Sequence, residues 1–201
     1  MKIIVIGATG TIGQAVVNEL SARHDVIRAG YNNGDIQVDI TCLDSIKAMY
    51  EKVKNIDAIV MTTGKTVFKP LLDFEQTDYR VGLDNKLLGQ ISVVQIGLKY
   101  LNDQGSFTLT SGILNRDPIR TGVSAAMVNG AIDGFVTASA LEMPRGLRIN
   151  AVSPTVIAEA MAAYGEYFRG YQPVPAAAAA LAYSKSVEGL QTGQVYRVGY
   201  V

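Results

Sequence analysis

Tryptophan is absent, and cysteine and histidine occur once each, as Cys42 and His24. One thiol cannot close a disulfide within the chain, and one thiol with one imidazole makes no metal constellation. Cys42 therefore reads as a packed thiol and His24 as a loop histidine, and a reducing cytoplasm is the expected compartment. An excess of charge is also lacking. The 18 Lys and Arg balance 18 Asp and Glu, no basic cluster stands out, and a nucleic-acid partner held by charge is disfavoured. No apolar run approaches the length of a membrane span, so no membrane partner is expected. Met1 leads straight into "KIIVIG", which reads as a first strand and not as a signal peptide. Repeats and dividing linkers are missing, so residues 1–201 are expected to form one domain.

Hydrophobic residues make up 48% of the chain and charged residues 18%, the balance of a globular protein. "KIIVIG" has the apolar run of a buried parallel strand. Thr11 to Ala22 predicts a helix, with Ile12, Val16 and Leu20 at helical spacing. "DVIRAG" and "IQVDI" predict a second and third strand. Only "YNNGD" separates them, too little for a crossover helix. Either that helix is deleted or the two strands are not parallel neighbours. Leu43 to Val53 predicts a helix with a start signal at Thr41 and Asp44, and "DAIVMT" a fourth strand. Tyr79 to Leu101 predicts one long helix, "SFTLTS" a fifth strand, and Ala125 to Met143 a second long helix closed by Pro144 and Gly146. "LRINAV" predicts a sixth strand, Ile157 to Phe168 a short amphipathic helix, and "PAAAAALAYSKSV" a helix with Pro175 near its first turn. "QVYRVGYV" predicts a seventh strand. Strands alternating with helices imply an α/β layer fold with a mostly parallel sheet.

"GATGTIG" follows the first strand and opens the first helix. Gly7 permits a tight turn, Gly10 lets backbone approach a pyrophosphate, and Gly13 lets the helix pack close to the sheet. Thr9, Thr11 and Ile12 complete the turn, and the helix N-terminus offers free N–H groups to phosphate. A tight turn without ligand is the alternative. The choice between NAD and NADP stays open. The second strand ends in "AGYNN", with neither the acid that bonds ribose hydroxyls nor an arginine for a 2′-phosphate. Tyr31 could stack on adenine and Asn32 could bond ribose or phosphate. Arg28 lies inside the strand, and Asp35 is a poor substitute for a strand-end acid. Asp39, with Ile40 beside it, could accept from the adenine amino group, or be a turn aspartate.

Together "GATGTIG", "VDIT", "GSFTLTSG", "ASALEMPRGLRINAVSP" and "TGQVYRV" resemble a short-chain dehydrogenase/reductase over nearly the whole chain, closest to the unusually short members. The resemblance implies a Rossmann-type, doubly wound sheet of seven mostly parallel strands with helices on both faces. It also implies NAD or NADP as cofactor, a small carbonyl or alcohol substrate, and a homodimer or homotetramer built through the two long helices.

The departures carry more information. The family uses Ser, Tyr and Lys with a supporting Asn. Ser111 matches the Ser. Counting back from "DGF" puts Ala125 at the Tyr position and Asn129 at the Lys position, while a one-residue slip gives Ser124 and Val128. Neither register supplies a phenol and an ammonium. Lys86 stands at the supporting Asn position. The wall after the fourth strand reads "MTTG", leaving Thr63 and Gly64. After the sixth strand "SPT" puts Thr155 where glycine is usual, with Pro154 before it and Val156 able to meet a carboxamide. Lys86 and Ser111 are the candidates for displaced chemistry. The bland alternatives are a surface lysine and a strand-end hydroxyl. Tyr164, Tyr167, Phe168 and Tyr171 fall in the lid region, as a phenol source or as a plain hydrophobic cover. The function expected is an oxidoreductase with a non-standard site, or a dinucleotide-binding sensor or scaffold that does not turn over.

Overall fold

The computed structural model describes residues 1–199. Seven strands form one sheet in the order β3-β2-β1-β4-β5-β6-β7, every pair parallel. The strands are β1 (Lys2–Ile6), β2 (Asp25–Gly30), β3 (Ile36–Gln37), β4 (Ile56–Met61), β5 (Leu101–Thr110), β6 (Arg148–Pro154) and β7 (Val195–Val198). Their apolar runs are buried because both faces are covered. Helices α1 (Thr11–Ser21) and α7 (Ala176–Glu188) lie on one face, where Val16, Leu20 and Tyr183 pack on Ile3, Val5, Ala58 and Val60. Helices α2 (Leu43–Lys52), α4 (Leu88–Gly97) and α5 (Val123–Ser139) cover the other, where Ile46, Val93 and Ile132 pack on Ile4, Ile59, Phe107 and Ile149. This is the doubly wound arrangement expected, and the chain reverses direction across the sheet between β1 and β4.

The unexplained gap after β2 resolves as a deleted helix. β2 and β3 are parallel neighbours, with Ala29 opposite Ile36. The five-residue return is closed by Asp35 N–H donating to the Arg28 carbonyl and by Arg28 pairing its guanidinium with the Asp35 carboxylate at 2.7 Å. β3 is two residues long and not the five of "IQVDI". The start signal of α2 is also different. Cys42 occupies the cap position without a side-chain bond and is exposed, not packed. Asp39 accepts from the Thr41 N–H and hydroxyl, the turn role. His24 bonds Glu188 at 2.8 Å.

The helix expected over 79–101 is three pieces. α3 (Gln76–Arg80) opens with a Glu75/Asp78 capping box, a π-helical segment runs from Val81–Leu87, and α4 follows. Leu101 begins β5 instead of ending the helix. α5 starts two residues earlier than expected and stops at Ser139, with Pro144–Gly146 forming a separate 3-10 turn. The amphipathic helix expected over 157–168 is a 3-10 turn, Ala158–Ala160, and one α-turn, α6 (Met161–Tyr164). Gly165 and aromatic packing take over there from helix periodicity. The seventh strand ends at Val198, and Tyr200 and Val201, also assigned to it from the sequence, lie outside the described residues.

Candidate functional site

The carboxyl ends of β1, β2, β4, β5 and β6 meet at one edge of the sheet, the place where open α/β folds bind ligands. Gly7 there has φ +88°, and a Cβ on it would lie 2.9 Å from the Thr62 backbone. A Cβ on Gly13 would lie 2.1 Å from the Gly7 carbonyl oxygen. Only glycine fits at either place, so α1 sits flush against the turn. Gly10 precedes α1 without a side-chain cap, which leaves first-turn N–H groups for an anion.

Three cavities line this edge. One is bounded by Gly7, Tyr31, Asn32, Asp39, Ile40, Thr63, Lys65 and Asn85. A second lies over Thr9, Gly10 and Thr11 and reaches Glu159 and Ala176. The third, about 320 Å³, is bounded by Ile12, Thr63, Gly64, Lys86, Ser111, Asn129, Pro154, Thr155 and Val156, with apolar walls from Phe68, Ile113, Leu114 and Phe168. The glycine-turn, adenosine-end and nicotinamide-end candidates, with Lys86 and Ser111, lie on these cavities except Gly13, which acts through packing; Arg28, Asp35, Tyr167 and Tyr171 line none of them. The glycine cradle, the uncapped helix and a continuous edge fit an extended dinucleotide.

Lys86 sits on the floor of the third cavity. Its Nζ donates to Asn129 Oδ1 at 2.7 Å and to the Ser111 carbonyl at 3.0 Å. It is not a surface lysine: burial pulls its ammonium down to about 8, and the Asp133 carboxylate opposes that shift. Its stem crosses Gly64, where a Cβ would come within 2.5 Å of Lys86 Cγ. Buried Gln90 fixes the helix to the end of β5, donating to the Lys86 and Thr110 carbonyls and accepting from Thr110 N–H. Ser111 is 3% exposed, and its Oγ has no partner within the protein. Ala125 faces the same cavity and brings no polar atom.

Of the lid tyrosines, Tyr164 lines the cavity. Tyr167 is exposed and lies against Phe68. The Tyr171 hydroxyl donates to the Asp117 carbonyl at 3.0 Å and packs edge-on to Phe168. Sequence reasoning missed the walls Phe68, Ile113 and Leu114, which carry no motif. It also used Asp133 only as a register mark, although its place four residues after Asn129 puts it on the same helix face.

The chain belongs to the short-chain dehydrogenase/reductase family. Residues 3–189 match the family model described as enoyl-(acyl carrier protein) reductase. The protein lin1944 from Listeria innocua is 52% identical, with a TM-score of 0.97 over 98% of this chain and 99% of that one. A small-chain dehydrogenase solved in complex with NADPH is 26% identical, with a TM-score of 0.89 over 99% and 96% of the two chains. A curated oxidoreductase of Staphylococcus epidermidis is 22% identical over 77% of this chain and 76% of its own.

Proposed function

We propose that the protein is an NAD(P)-dependent oxidoreductase of small carbonyl or alcohol compounds in which Lys86 handles the substrate proton. The observation that carries this reading is the bonding of Lys86 Nζ to Asn129 and to the Ser111 carbonyl on the cavity floor. By the resemblance, Lys86 holds the supporting Asn position and Asn129 the Lys position. The two residues have exchanged places, so an ammonium remains beside the same neighbour but rises from the other helix.

When bound, a nicotinamide dinucleotide supplies or accepts a hydride. Gly7, Thr9, Gly10 and Thr11, with α1 packed close through Gly13, would hold its diphosphate. Tyr31, Asn32, Asp39 and Ile40 would hold the adenosine end. Ile12, Thr63, Gly64, Asn129, Pro154 and Val156 would wall the nicotinamide end. β2 ends at Gly30 without an acid, and the nearby Asp35 is tied to Arg28. That favours NADPH, the cofactor of the 26%-identical neighbour.

Two of the three ammonium hydrogens of Lys86 go to fixed acceptors, and the third is left for a substrate oxygen. A lysine near its midpoint at neutral pH gives and regains a proton readily. The unpartnered Ser111 hydroxyl orients the same oxygen. Phe68, Ile113, Leu114 and Phe168 select a small apolar body, and Ala125 leaves it room. The outer side of α4 and α5, with Leu88 and Met127 exposed, is the surface for a homodimer or homotetramer, read by light scattering. A reducing cytoplasm is the compartment that agrees with an exposed Cys42.

Lys86→Met tests the assignment. Carbonyl reduction should fall about 10²-fold or more, while NADPH affinity, read by its fluorescence, stays within a few-fold. Undiminished turnover would overturn the role. The second reading, a dinucleotide-binding sensor or scaffold, draws on the missing phenol at Ala125. It requires NADPH binding with no NADPH oxidation across a panel of aldehydes and ketones.

A further inference from the structure

Asp133 lies on α5 one helical turn beyond Asn129, the residue that accepts the Lys86 hydrogen bond. Its carboxylate receives a hydrogen bond from the Asn115 amide at 2.5 Å, and its other oxygen is buried with no partner within the protein. Two further buried atoms of the same cluster, Asn115 Oδ1 and Arg116 Nε, also lack a protein partner. Arg116 donates to Ser153 Oγ at 2.6 Å, which seats its guanidinium at the end of β6. The segment from Ser111 to Arg116 thus runs along α5. Ser111 takes the lysine, a Cβ on Gly112 would lie 3.0 Å from the Asn129 amide nitrogen, Asn115 holds Asp133, and Arg116 closes on β6. An apolar residue at 133 would serve packing better, because a half-buried carboxylate with one neutral partner is costly. The placement has a reason if the negative charge serves another group.

We propose that Asp133, held by Asn115, is the counter-charge of the Lys86 ammonium and a positioning residue for it. The inference rests on the reading of Lys86 as the acid of the site. The groups that face Lys86 leave Asp133 as the candidate. Asn129 and the Ser111 carbonyl are uncharged acceptors. Gly64 brings no charge, and its neighbour Lys65 is exposed and of the wrong sign. Asp84, on the lysine's own helix, is exposed and lies against Arg80 at 3.7 Å. Arg116 feels the Asp133 and Asp117 carboxylates, with Arg197 as its nearby like charge. Asp133 does not line the cavity. It keeps the proton on Lys86 against burial, and the Asn129 amide oxygen, 2.7 Å from Nζ, keeps the lysine aimed at the cavity.

The test reads Lys86 without cofactor or substrate, so its failure is separable from a failure to turn over. Lysines are methylated with 13C-formaldehyde and titrated by NMR, the Lys86 signal being assigned by its loss in Lys86→Arg. Asp133→Asn should lower the Lys86 midpoint by about 0.5–1 unit, and the alkaline limb of the reduction profile should move down equally. Asp133→Glu should recover most of that shift. An unmoved midpoint in a folded Asp133→Asn protein would overturn the proposal, as would Asp133→Glu behaving like Asp133→Asn. The unaltered protein gives a further arm that needs no variant. With 13C-labelled aspartate, the Asp133 carboxyl signal should shift through the Lys86 midpoint. A signal flat through that pH also overturns it.

Discussion

At the scale of single residues, the proposed function turns on Lys86. Its ammonium lies near 8 in the folded protein against an ordinary 10.5, burial being the main cause. Reduction needs the protonated form. kcat/KM for carbonyl reduction should therefore be level below pH about 8 and fall about tenfold per unit above it, while alcohol oxidation should rise over the same range. Stability carries the opposite trend. Between about 8 and 10.5 the unfolded chain binds a proton that the folded chain does not, so stability rises with pH across that window. Urea unfolding should show this rise in the parent protein and lack it in Lys86→Met. The Lys86–Asn129 contact also predicts how a repair of the family pattern would fail. Ala125→Tyr with Asn129→Lys puts a second ammonium where Nζ now sits 2.7 Å from the amide oxygen. That variant should lose on the order of 1–4 kcal/mol of stability and gain little activity. Adding Lys86→Asn should relieve the repulsion and raise carbonyl reduction at least tenfold over the two-site variant, both read by thermal melts and NADPH oxidation.

At the scale of elements, the π-helical segment Val81–Leu87 explains why Lys86 reaches the cavity floor. A π-turn inserts one extra residue into a helix and re-aims those around it, a device common at functional sites. Leu88 is exposed just beyond the segment, and Gln90 anchors the helix beyond that. Deleting Leu88 lets the helix run as α and turns Lys86 by roughly 100° from its acceptors. The shortened protein should fold and bind NADPH with turnover down about 10²-fold, measured by NADPH fluorescence and oxidation. Sequence periodicity finds a helix here but misses its ends and the extra residue, because Leu87, Val93 and Val94 keep a helical stripe on either side of it. β3 shows a related limit. "IQVDI" has strand composition, but the five-residue return from β2 leaves only two residues beside Ala29 and Gly30. Element type was legible in these cases, and element length depended on neighbours far away in the chain.

On the scale of the whole molecule, α1 and α7 close one face of the sheet. Their ends are clasped by Arg23 and Glu188 at 2.8 Å, with His24 on the same carboxylate. The Arg23 bond holds Glu188 down to about 2, assisted by His24 and Ser184. A carboxylate lowered on folding stabilises above its unfolded value and loses that contribution as pH falls through its folded one. The clasp is largely exposed, so its effect should be modest and screened by salt. Unfolding by urea should show stability falling as pH drops from about 4.5 toward 2, and Glu188→Gln should flatten part of that fall at low ionic strength.

The sequence by itself determined the α/β sheet, the glycine turn and the absence of a phenol and an ammonium at Ala125 and Asn129. Those features are local: apolar runs, glycine spacing, and residue types counted from a fixed mark. Only the tertiary structure decided that Lys86 is half-buried on the cavity floor and that Asn129 accepts its hydrogen bond. Those two lie 43 positions apart, on different helices, and meet only because the sheet brings the end of β5 between them. Burial decides the same question for Asp133. A carboxylate on a helix reads as a solvated surface group until the segment from Ser111 to Arg116 folds across it.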